Sequence, residues 1–208
     1  MPMDEQKILP LLQSHLPAPS VDYCFRLWQQ YRFRFVLRKG RITKVGDFSY
    51  RTGQIPRITV NHDLNPYLFL VTYIHEVAHL EVHRQFRRAE AHGEEWKNSF
   101  RNLLLPVMTS EIFPEDLLKG LQSHMVNPMA STFSDSEMTN LFRSFDKHSH
   151  LVTLLSQVPE GTVFGLHGRW FKKGKIRRTR VLCRELNSKK NYLVPADIPI
   201  ENAQLSLL

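Results

Sequence analysis

The spacing of hydrophobic and polar positions changes once along the first part of the chain. Apolar residues first recur at intervals of three and four, which predicts two amphipathic helices, at residues 4–16 and 20–31. Pro17 and Pro19 separate these helices, and Ser20 can cap the second. Apolar and polar residues then alternate, which predicts three strands, at residues 33–38, 42–49 and 57–61. We expect these strands to form a three-stranded meander.

The next segment, residues 67–82, is almost wholly apolar and is predicted to be a buried helix. Asn65 is a favourable N-cap residue, and Pro66 is favourable at the first helical position. We expect the meander to pack beside this helix, which would form a cleft. A sheet edge next to such a cleft can bind an extended peptide as an added strand.

Within this helix the residues His75-Glu76-Val77-Ala78-His79 read HExxH. Positions i and i+4 lie on one face of a helix, so both imidazoles can bind one Zn²⁺ at about 2.0–2.1 Å. Glu76 lies beside the open coordination position, where a carboxylate can take a proton from the water on the metal. Buried polar side chains need partners, and a metal ion would provide one. The motif therefore predicts two zinc ligands, His75 and His79, and a general base, Glu76.

A tetrahedral site with an open position needs a third protein ligand, and two histidines downstream are candidates. His83 lies four residues after His79, but a helix rises about 1.5 Å per residue, which carries His83 too far along the axis. His92 follows a charged segment that can form a loop, and Gly93 allows the chain to turn. Acidic residues then open another helix, at residues 94–105. We therefore predict His92 as the third ligand.

A further helix is predicted to begin at Pro114, and residues 123–135 read as a loop or linker. Residues 134–137 resemble a capping box that would open a helix reaching about Phe145. We place a domain boundary in the linker, which gives two predicted domains, residues 1–130 and 131–208.

The last part of the chain reads as a small antiparallel β module. Four segments have strand character, at residues 162–167, 169–171, 176–184 and 191–194. Turn residues separate them, at Gly168, Lys173-Gly174 and Asn187-Ser188. The core of the module is expected to contain Phe164, Trp170, Phe171, Leu182 and Tyr192.

The composition is that of a globular protein, since 42% of the 208 residues are hydrophobic. No apolar run approaches the roughly 20 residues needed to span a bilayer, and the acidic N-terminus does not resemble a signal peptide. Cys24 and Cys183 lie far apart and fit no CxxC or four-cysteine zinc pattern. These features predict a cytoplasmic protein without membrane contacts, associated with the nucleoid if the source is bacterial.

The net charge of +8 favours an anionic partner. Residues 169–180 hold seven basic side chains, two aromatic ones and no acidic one. Lys and Arg can contact phosphates without reading sequence, and aromatic rings can stack on the bases of single strands. The predicted DNA-binding residues are Lys172, Lys173, Lys175, Arg177, Arg178 and Arg180. The alternative is a solvated β edge with Trp170 and Phe171 in the core of the module.

Four segments, in matching order, resemble the SprT-like family, which includes the Spartan-type proteases. They are Lys44-Val-Gly-Asp-Phe48, Ile58-Thr-Val-Asn61, His75-Glu-Val-Ala-His79 and His92-Gly-Glu-Glu-Trp96. The resemblance covers roughly residues 20–125. It implies that His75, His79 and His92 bind one Zn²⁺ and that Glu76 is catalytic. It also implies an α+β fold in which a compact, minigluzincin-like zincin domain places a three-stranded sheet beside the HExxH helix.

Characterised relatives are DNA-associated metalloproteases that cut proteins crosslinked to DNA. The resemblance therefore implies a zinc metalloprotease whose partners are DNA and DNA-bound proteins. Many relatives carry a C-terminal zinc ribbon with four cysteines, whereas that region here contains only Cys183, so a second zinc is not expected. The alternative function is a DNA-binding or transcription-associated adaptor with a structural zinc and little or no proteolysis. The intact Glu76 favours the protease, because a structural site has no use for a general base.

Overall fold

The computed structural model of the chain describes residues 5–39, 44–86, 88–126, 136–146, 153–166 and 168–204. The chain divides into two compact units, Met1–Lys147 and His148–Leu208. The first unit combines helices with a small sheet and the second consists mainly of strands, so the predicted α+β class is confirmed. In the described residues no helix is both long enough and apolar enough to cross a membrane.

The helices of the first unit follow the predicted order. They are α1 (Glu5–His15), α2 (Val21–Tyr31), α3 (Pro66–Gln85), α4 (Glu94–Leu104), α5 (Glu115–Val126) and α6 (Ser136–Arg143). Ser20 occupies the N-cap position of α2, but its side chain does not cap the helix as predicted. Its hydroxyl donates to the carbonyl of Pro17 at 2.7 Å and not to the helix.

Helix α3 forms the centre of the core of the first unit. Asn65 caps it as predicted, because its Oδ1 accepts the backbone N–H of Leu68 at 3.0 Å. Side chains all around α3 are buried, since the helix packs against the sheet and against α2 and α4. The hydroxyl of Tyr73 donates to the carbonyl of Cys24 in α2 at 3.0 Å, so even this polar atom has a partner in the core. The HExxH segment is therefore held by packing on several sides.

The sheet of the first unit is not a meander. Its strands are β1 (Arg34–Arg38), β2 (Gly46–Ser49) and β3 (Arg57–Asn61), in the order β1-β3-β2. The central strand β3 runs parallel to β1 and antiparallel to β2. The predicted meander is wrong because β3, which is buried from Ile58 to Asn61, is the strand that fits between two neighbours. β2 is therefore an edge strand, and it packs against α3. Residues 42 and 43 of the predicted second strand lie outside the described residues.

The last helices of the first unit extend past the predicted boundary. Residues 123–126 are helical and not a loop, because α5 continues to Val126. His124 lies on the same buried face of this helix as Leu117 and Leu121. The side-chain amide of Asn65 donates to the carbonyl of Phe142 at 2.9 Å and to Asp146 Oδ1 at 2.7 Å. Helix α6 therefore belongs to the first unit, and the two units divide after it rather than near residue 130. The start of the predicted capping box, residues 134 and 135, lies outside the described residues.

The second unit contains an antiparallel sheet in the order β4-β9-β5-β6-β7-β8. Its strands are β4 (Thr153–Leu154), β5 (Val163–Leu166), β6 (Arg169–Arg177), β7 (Arg180–Glu185), β8 (Asn191–Pro195) and β9 (Pro199–Gln204). The small antiparallel β module is thus present, with β4 and β9 as strands that were not predicted. A short helical turn, Leu155–Gln157, follows β4.

Strand β6 runs through the position where a turn is predicted. Lys173 and Gly174 lie inside it, and the pairing with β7 shifts between Lys173 and Ile176. Gly174 is needed because a Cβ atom there would lie 2.6 Å from the carbonyl oxygen of Leu182 in β7. A glycine inside a strand can mark such a close approach rather than a turn. The actual turn follows Arg177, with Arg178 in the left-handed region at a φ of 55°.

The core of the β module differs from the predicted one at Trp170 and Leu182, which are not part of it, and Tyr192 is only partly buried against it. Phe164 and Phe171 are buried, as expected, and Cys183 is a buried thiol beside them. Trp170 is 38% exposed, because residues that alternate with Phe171 in β6 face the opposite side of the sheet. The buried core consists of Leu155, Phe164, Leu166, Phe171, Val181, Cys183, Val194 and Ile200.

Candidate metal centre

Three imidazole nitrogens converge at one point beside α3. The Nε2 atom of His79 lies 3.2 Å from that of His75 and 2.9 Å from that of His92, and the third edge, from His92 to His75, is 3.3 Å. A neutral imidazole nitrogen carries either one hydrogen or one lone pair. Three such atoms facing one another cannot all be satisfied by bonds among themselves. In the described residues these histidines form the one group of three or more potential ligands that could hold a metal ion.

Two elements bring the ligands together. His75 and His79 lie one turn apart on α3, as the HExxH spacing predicts. His92 precedes α4 and adopts the left-handed conformation at a φ of 62°. The turn is thus made at His92 itself rather than at Gly93, whose backbone is extended. Space around Gly93 is tight, because a Cβ atom there would lie 3.2 Å from the Cβ atom of Glu90.

An aromatic wall on α4 backs the three imidazoles. The ring centroid of Trp96 lies 4.6 Å from those of His75 and His92 and 5.4 Å from that of His79. Phe100, one turn further, stacks on Trp96 at 5.0 Å. Trp96 is 1% exposed, and its Nε1 atom is one of two buried side-chain polar atoms in the described residues without a hydrogen-bond partner. The wall restricts how far the imidazoles can rotate away from one another.

Burial keeps the three imidazoles in their neutral form. Desolvation lowers the pKa of His75 well below its usual value, and His79, His92 and His124 lower it further. Burial, with a smaller effect of His92, lowers the pKa of His79 to about 4, and burial also lowers the pKa of His92. Neutral imidazole is the form that binds metal ions. The site is therefore ready to bind a metal at neutral pH without first losing protons.

Glu76 lies on the side of α3 that faces the sheet. It is 6% exposed, and its carboxylate lies against Gly46 at the start of β2. Residue 76 directly follows the first candidate ligand, His75, on α3, so Glu76 belongs to the same helical turn. A carboxylate beside a metal centre can act as a general base.

His83 does not join the other histidines, as predicted. It lies further along α3, is exposed, and packs against the rings of Phe48 and Tyr50 at 5.6 and 4.6 Å. Its neighbours are therefore residues of β2 and the chain just after it.

His124 is a neighbour of the site that the sequence does not reveal. It is buried on α5 and contributes to the lowered pKa of His75. Arg101 of α4 donates from Nε to the carbonyl of Met125 at 2.8 Å, which ties this end of α5 to the helix that carries Trp96. The available signal was its place in the stripe of Leu117 and Leu121, which marks it as a buried residue of a helix.

The predicted DNA-binding residues lie on β6, β7 and the turn between them. The side chains of five are exposed: Lys172, Lys175, Arg177, Arg178 and Arg180. Lys173 is wrong as a DNA contact, because it is 4% exposed. Its Nζ atom donates to the carbonyls of Leu155, Ser156 and Val158 at 2.6, 3.3 and 2.5 Å. Strand alternation places Lys173 on the inner face, whereas Lys172 and Trp170 lie on the outer face.

No family model, no curated protein and no solved structure matches this chain. The site combines three neutral imidazoles, a buried carboxylate on the same helix and an edge strand that packs against that helix.

Proposed function

We propose that this chain is a zinc-dependent metalloendopeptidase of the SprT-like type that acts on proteins bound or crosslinked to DNA. The observation that carries the proposal is the convergence of three Nε2 atoms within 3.3 Å of one another. Glu76, which directly follows the first of these histidines, provides the accompanying carboxylate.

The spacing of the three nitrogens supports zinc as the metal. With Zn–N bonds of about 2.0–2.1 Å in a tetrahedron, ligand nitrogens lie about 3.3 Å apart. The observed edges of 2.9, 3.2 and 3.3 Å are close to this value. Structural zinc sites normally use four protein ligands, while catalytic sites use three and keep one position open. In the described residues the group contains three ligands, which favours a catalytic site.

Glu76 is the residue that we assign to proton transfer. When bound, zinc acidifies water and polarises a carbonyl group. With zinc held by the three imidazoles, the Glu76 carboxylate would accept a proton from the water that attacks the scissile carbonyl carbon. The same carboxyl group then donates the proton to the amine nitrogen that leaves, so the base is regenerated. The three imidazoles stay neutral throughout and hold the site together.

The edge strand β2 supports a peptide as the substrate. Its inner edge pairs with β3, and in the described sheet its other edge has no neighbouring strand. An extended peptide can therefore pair with β2 as an added strand. Because Gly46 of β2 lies against Glu76, such a peptide would run past the general base.

The basic surface of the β module supports DNA as the partner. Exposed basic side chains cluster on β6, β7 and their turn, and they include five of the predicted DNA contacts: Lys172, Lys175, Arg177, Arg178 and Arg180. The exposed Trp170 shares the outer face of β6 with Lys172. Basic side chains can follow a phosphate backbone while an aromatic ring stacks on an unpaired base.

The test is cleavage of a protein crosslinked to a single-stranded oligonucleotide, with the same protein free of DNA as the second substrate. We expect the zinc-loaded wild type to cleave the crosslinked protein. The zinc-loaded Glu76→Gln variant should be slower by at least about 100-fold, because general acid–base catalysis contributes at least that much. If both proteins hold zinc and neither cleaves either substrate, the adaptor function with a structural zinc replaces the enzyme.

A further inference from the structure

Gly46 occupies an unusual place in the site. It is the first residue of β2 and pairs with Val60 of the central strand β3. It is buried, and its Cα atom faces the carboxylate of Glu76 on α3. Glycine is the residue type that has no Cβ atom, so nothing projects from residue 46 toward Glu76.

A side chain at residue 46 would occupy space that Glu76 already fills. A Cβ atom added to Gly46 would overlap Glu76 Oε1 and would lie 2.9 Å from Glu76 Cδ. It would also lie 2.7 Å from Cγ2 of Thr72, one turn earlier on α3. Cβ atoms in proteins do not approach other heavy atoms this closely. Either β2 or the Glu76 carboxylate would have to move.

Strand β2 is fixed on both sides of Gly46, so it cannot easily move. On one side the backbone N–H of Asn61 donates to the carbonyl of Val45 at 2.8 Å. On the other side the rings of Phe48 and Tyr50 pack against the ring of His83 in α3, with centroid distances of 5.6 and 4.6 Å. The carboxylate at the end of a flexible side chain is the part that can shift. A substitution at residue 46 would therefore displace the carboxylate of Glu76.

We propose that Gly46 is a positioning residue for Glu76, whose carboxylate lies in place because residue 46 has no side chain. This proposal rests on the proposed function, since it concerns the residue assigned to proton transfer. A displacement of about 1 Å in a catalytic group can reduce the rate by about 100-fold. None of the three histidine ligands is among the nearest atoms to the added Cβ, so metal binding should be unaffected.

The first measurement compares the zinc-loaded full chain with its Gly46→Ala variant. We expect the variant to hold one zinc per chain and to show a kcat lower by about 100-fold with little change in KM. Thr72→Ser, which removes only the Cγ2 atom, serves as the control and should cleave at the wild-type rate. The double variant Gly46→Ala/Thr72→Ser should remain slow, because the overlap with Glu76 persists in it.

The second measurement does not depend on cleavage. Both Gly46→Ala and Glu76→Ala are made in the Thr72→Ser background, and unfolding equilibria of the four zinc-loaded proteins are compared. With Glu76 present, Gly46→Ala should increase the equilibrium constant for unfolding. When Glu76 is replaced by alanine, the increase caused by Gly46→Ala should be about tenfold smaller. This coupling is expected because the added Cβ then has no carboxylate to displace.

The outcomes separate the two proposals. If the wild type cleaves, Glu76→Gln does not, and Gly46→Ala cleaves at the wild-type rate, the positioning role of Gly46 is overturned while the protease stands. If the zinc-loaded wild type cleaves nothing, the protease fails, and the unfolding cycle still decides whether Gly46 holds the Glu76 carboxylate. Additive effects in that cycle overturn the positioning role in either case.

Discussion

The imidazoles of His75, His79 and His92 combine two properties, mutual proximity and burial. Their Nε2 atoms face one another within 3.3 Å, and burial lowers the pKa of each. Without a metal ion the arrangement is tolerable only while the rings are neutral. Protonation would place like charges side by side in a desolvated site.

The first prediction concerns the pH dependence of the metal-free protein. Because the pKa of His79 in the folded state, about 4, lies below the value of about 6.5 for an unfolded chain, the unfolded state binds more protons between these values. The stability contribution is present above pH 6.5 and is lost as the pH falls toward 4. The free energy of unfolding should fall by up to about 3 kcal/mol from this group, at 1.36 kcal/mol per pKa unit.

The measurement is denaturant unfolding of the metal-free full chain at several pH values between 7.5 and 4. His79→Gln cannot be protonated, so this variant should lose less stability than the wild type over the same range. His83→Gln, outside the cluster, should behave as the wild type. Equal pH dependence in all three proteins would show that burial does not hold His79 neutral.

The second prediction separates the third ligand from its competitor. His92→Ala should weaken zinc binding by more than about 100-fold, because loss of an outer hydrogen-bond partner alone costs 10–100-fold. His83→Ala should retain one zinc per chain, since His83 packs against Phe48 and Tyr50 instead. Zinc content after dialysis against a weak chelator measures both. Unchanged zinc in His92→Ala would refute the assignment.

Local spacing explains which of the site residues could be predicted. The pairing of His75 with His79 follows from helical periodicity, and His92 from a turn that leads into the next helix. The contacts of Gly46 and His124 could not be predicted in this way. They depend on how β2 and α5 pack against α3 and α4, and that packing joins residues far apart in the chain.

At the level of secondary structure, Lys173 shows how one side chain can hold a segment in place. It is buried inside β6, and its ammonium group donates to the carbonyls of Leu155, Ser156 and Val158. These carbonyls belong to the helical turn after β4 and the chain that follows it. The ammonium group thus joins the middle of the sheet to the segment that precedes β5.

The third prediction follows from these bonds. Lys173→Met should destabilise the protein by roughly 3 kcal/mol or more, because three carbonyls lose a charged donor and each group left unsatisfied costs about 1–3 kcal/mol. Lys172→Met, at the neighbouring exposed position, should change stability by less than about 0.5 kcal/mol. Denaturant unfolding of the full chain measures both. Equal stability of the two variants would contradict the structural role of Lys173.

The positions of the strands could be predicted better than their pairing. Alternation of apolar and polar residues located β1 and β3 to within a residue, because that pattern is local. The order β1-β3-β2 could not be read from alternation, since it depends on which strand has both edges covered. The sequence predicted two strands where the structure has the single strand β6, because Lys173-Gly174 was interpreted as a turn. In the structure Gly174 lies inside the strand, close to the backbone of β7.

At the scale of the whole molecule, the candidate metal centre lies in one unit and the basic surface in the other. The net charge of +8 is consistent with an anionic partner, and the β6–β7 region carries seven exposed cations that form no part of the metal centre. The HExxH motif and the clustering of basic residues were enough to predict that these two features lie in different parts of the chain. The sequence could not indicate the target, because phosphate contacts carry no sequence information.

The fourth prediction addresses this basic surface. Replacing by glutamine the five predicted DNA contacts that are exposed should weaken binding to a single-stranded oligonucleotide. The slope of log affinity against log salt should decrease in magnitude by up to about 4, at roughly 0.7–0.9 per phosphate contact. The residues are Lys172, Lys175, Arg177, Arg178 and Arg180. Lys173→Met, with its buried ammonium, should leave the slope unchanged in the folded protein. An unaltered slope in the five-residue variant would exclude this surface as the DNA contact.

Zinc X-ray absorption of the purified full chain is the most direct test of an open three-histidine zinc site. We expect one zinc per chain bound by three imidazole nitrogens at about 2.0–2.1 Å and one oxygen from water. In His92→Ala that signature should disappear, while in Glu76→Gln it should persist. A zinc with four protein ligands would contradict the open site, and a chain that binds no zinc would contradict the metal centre altogether.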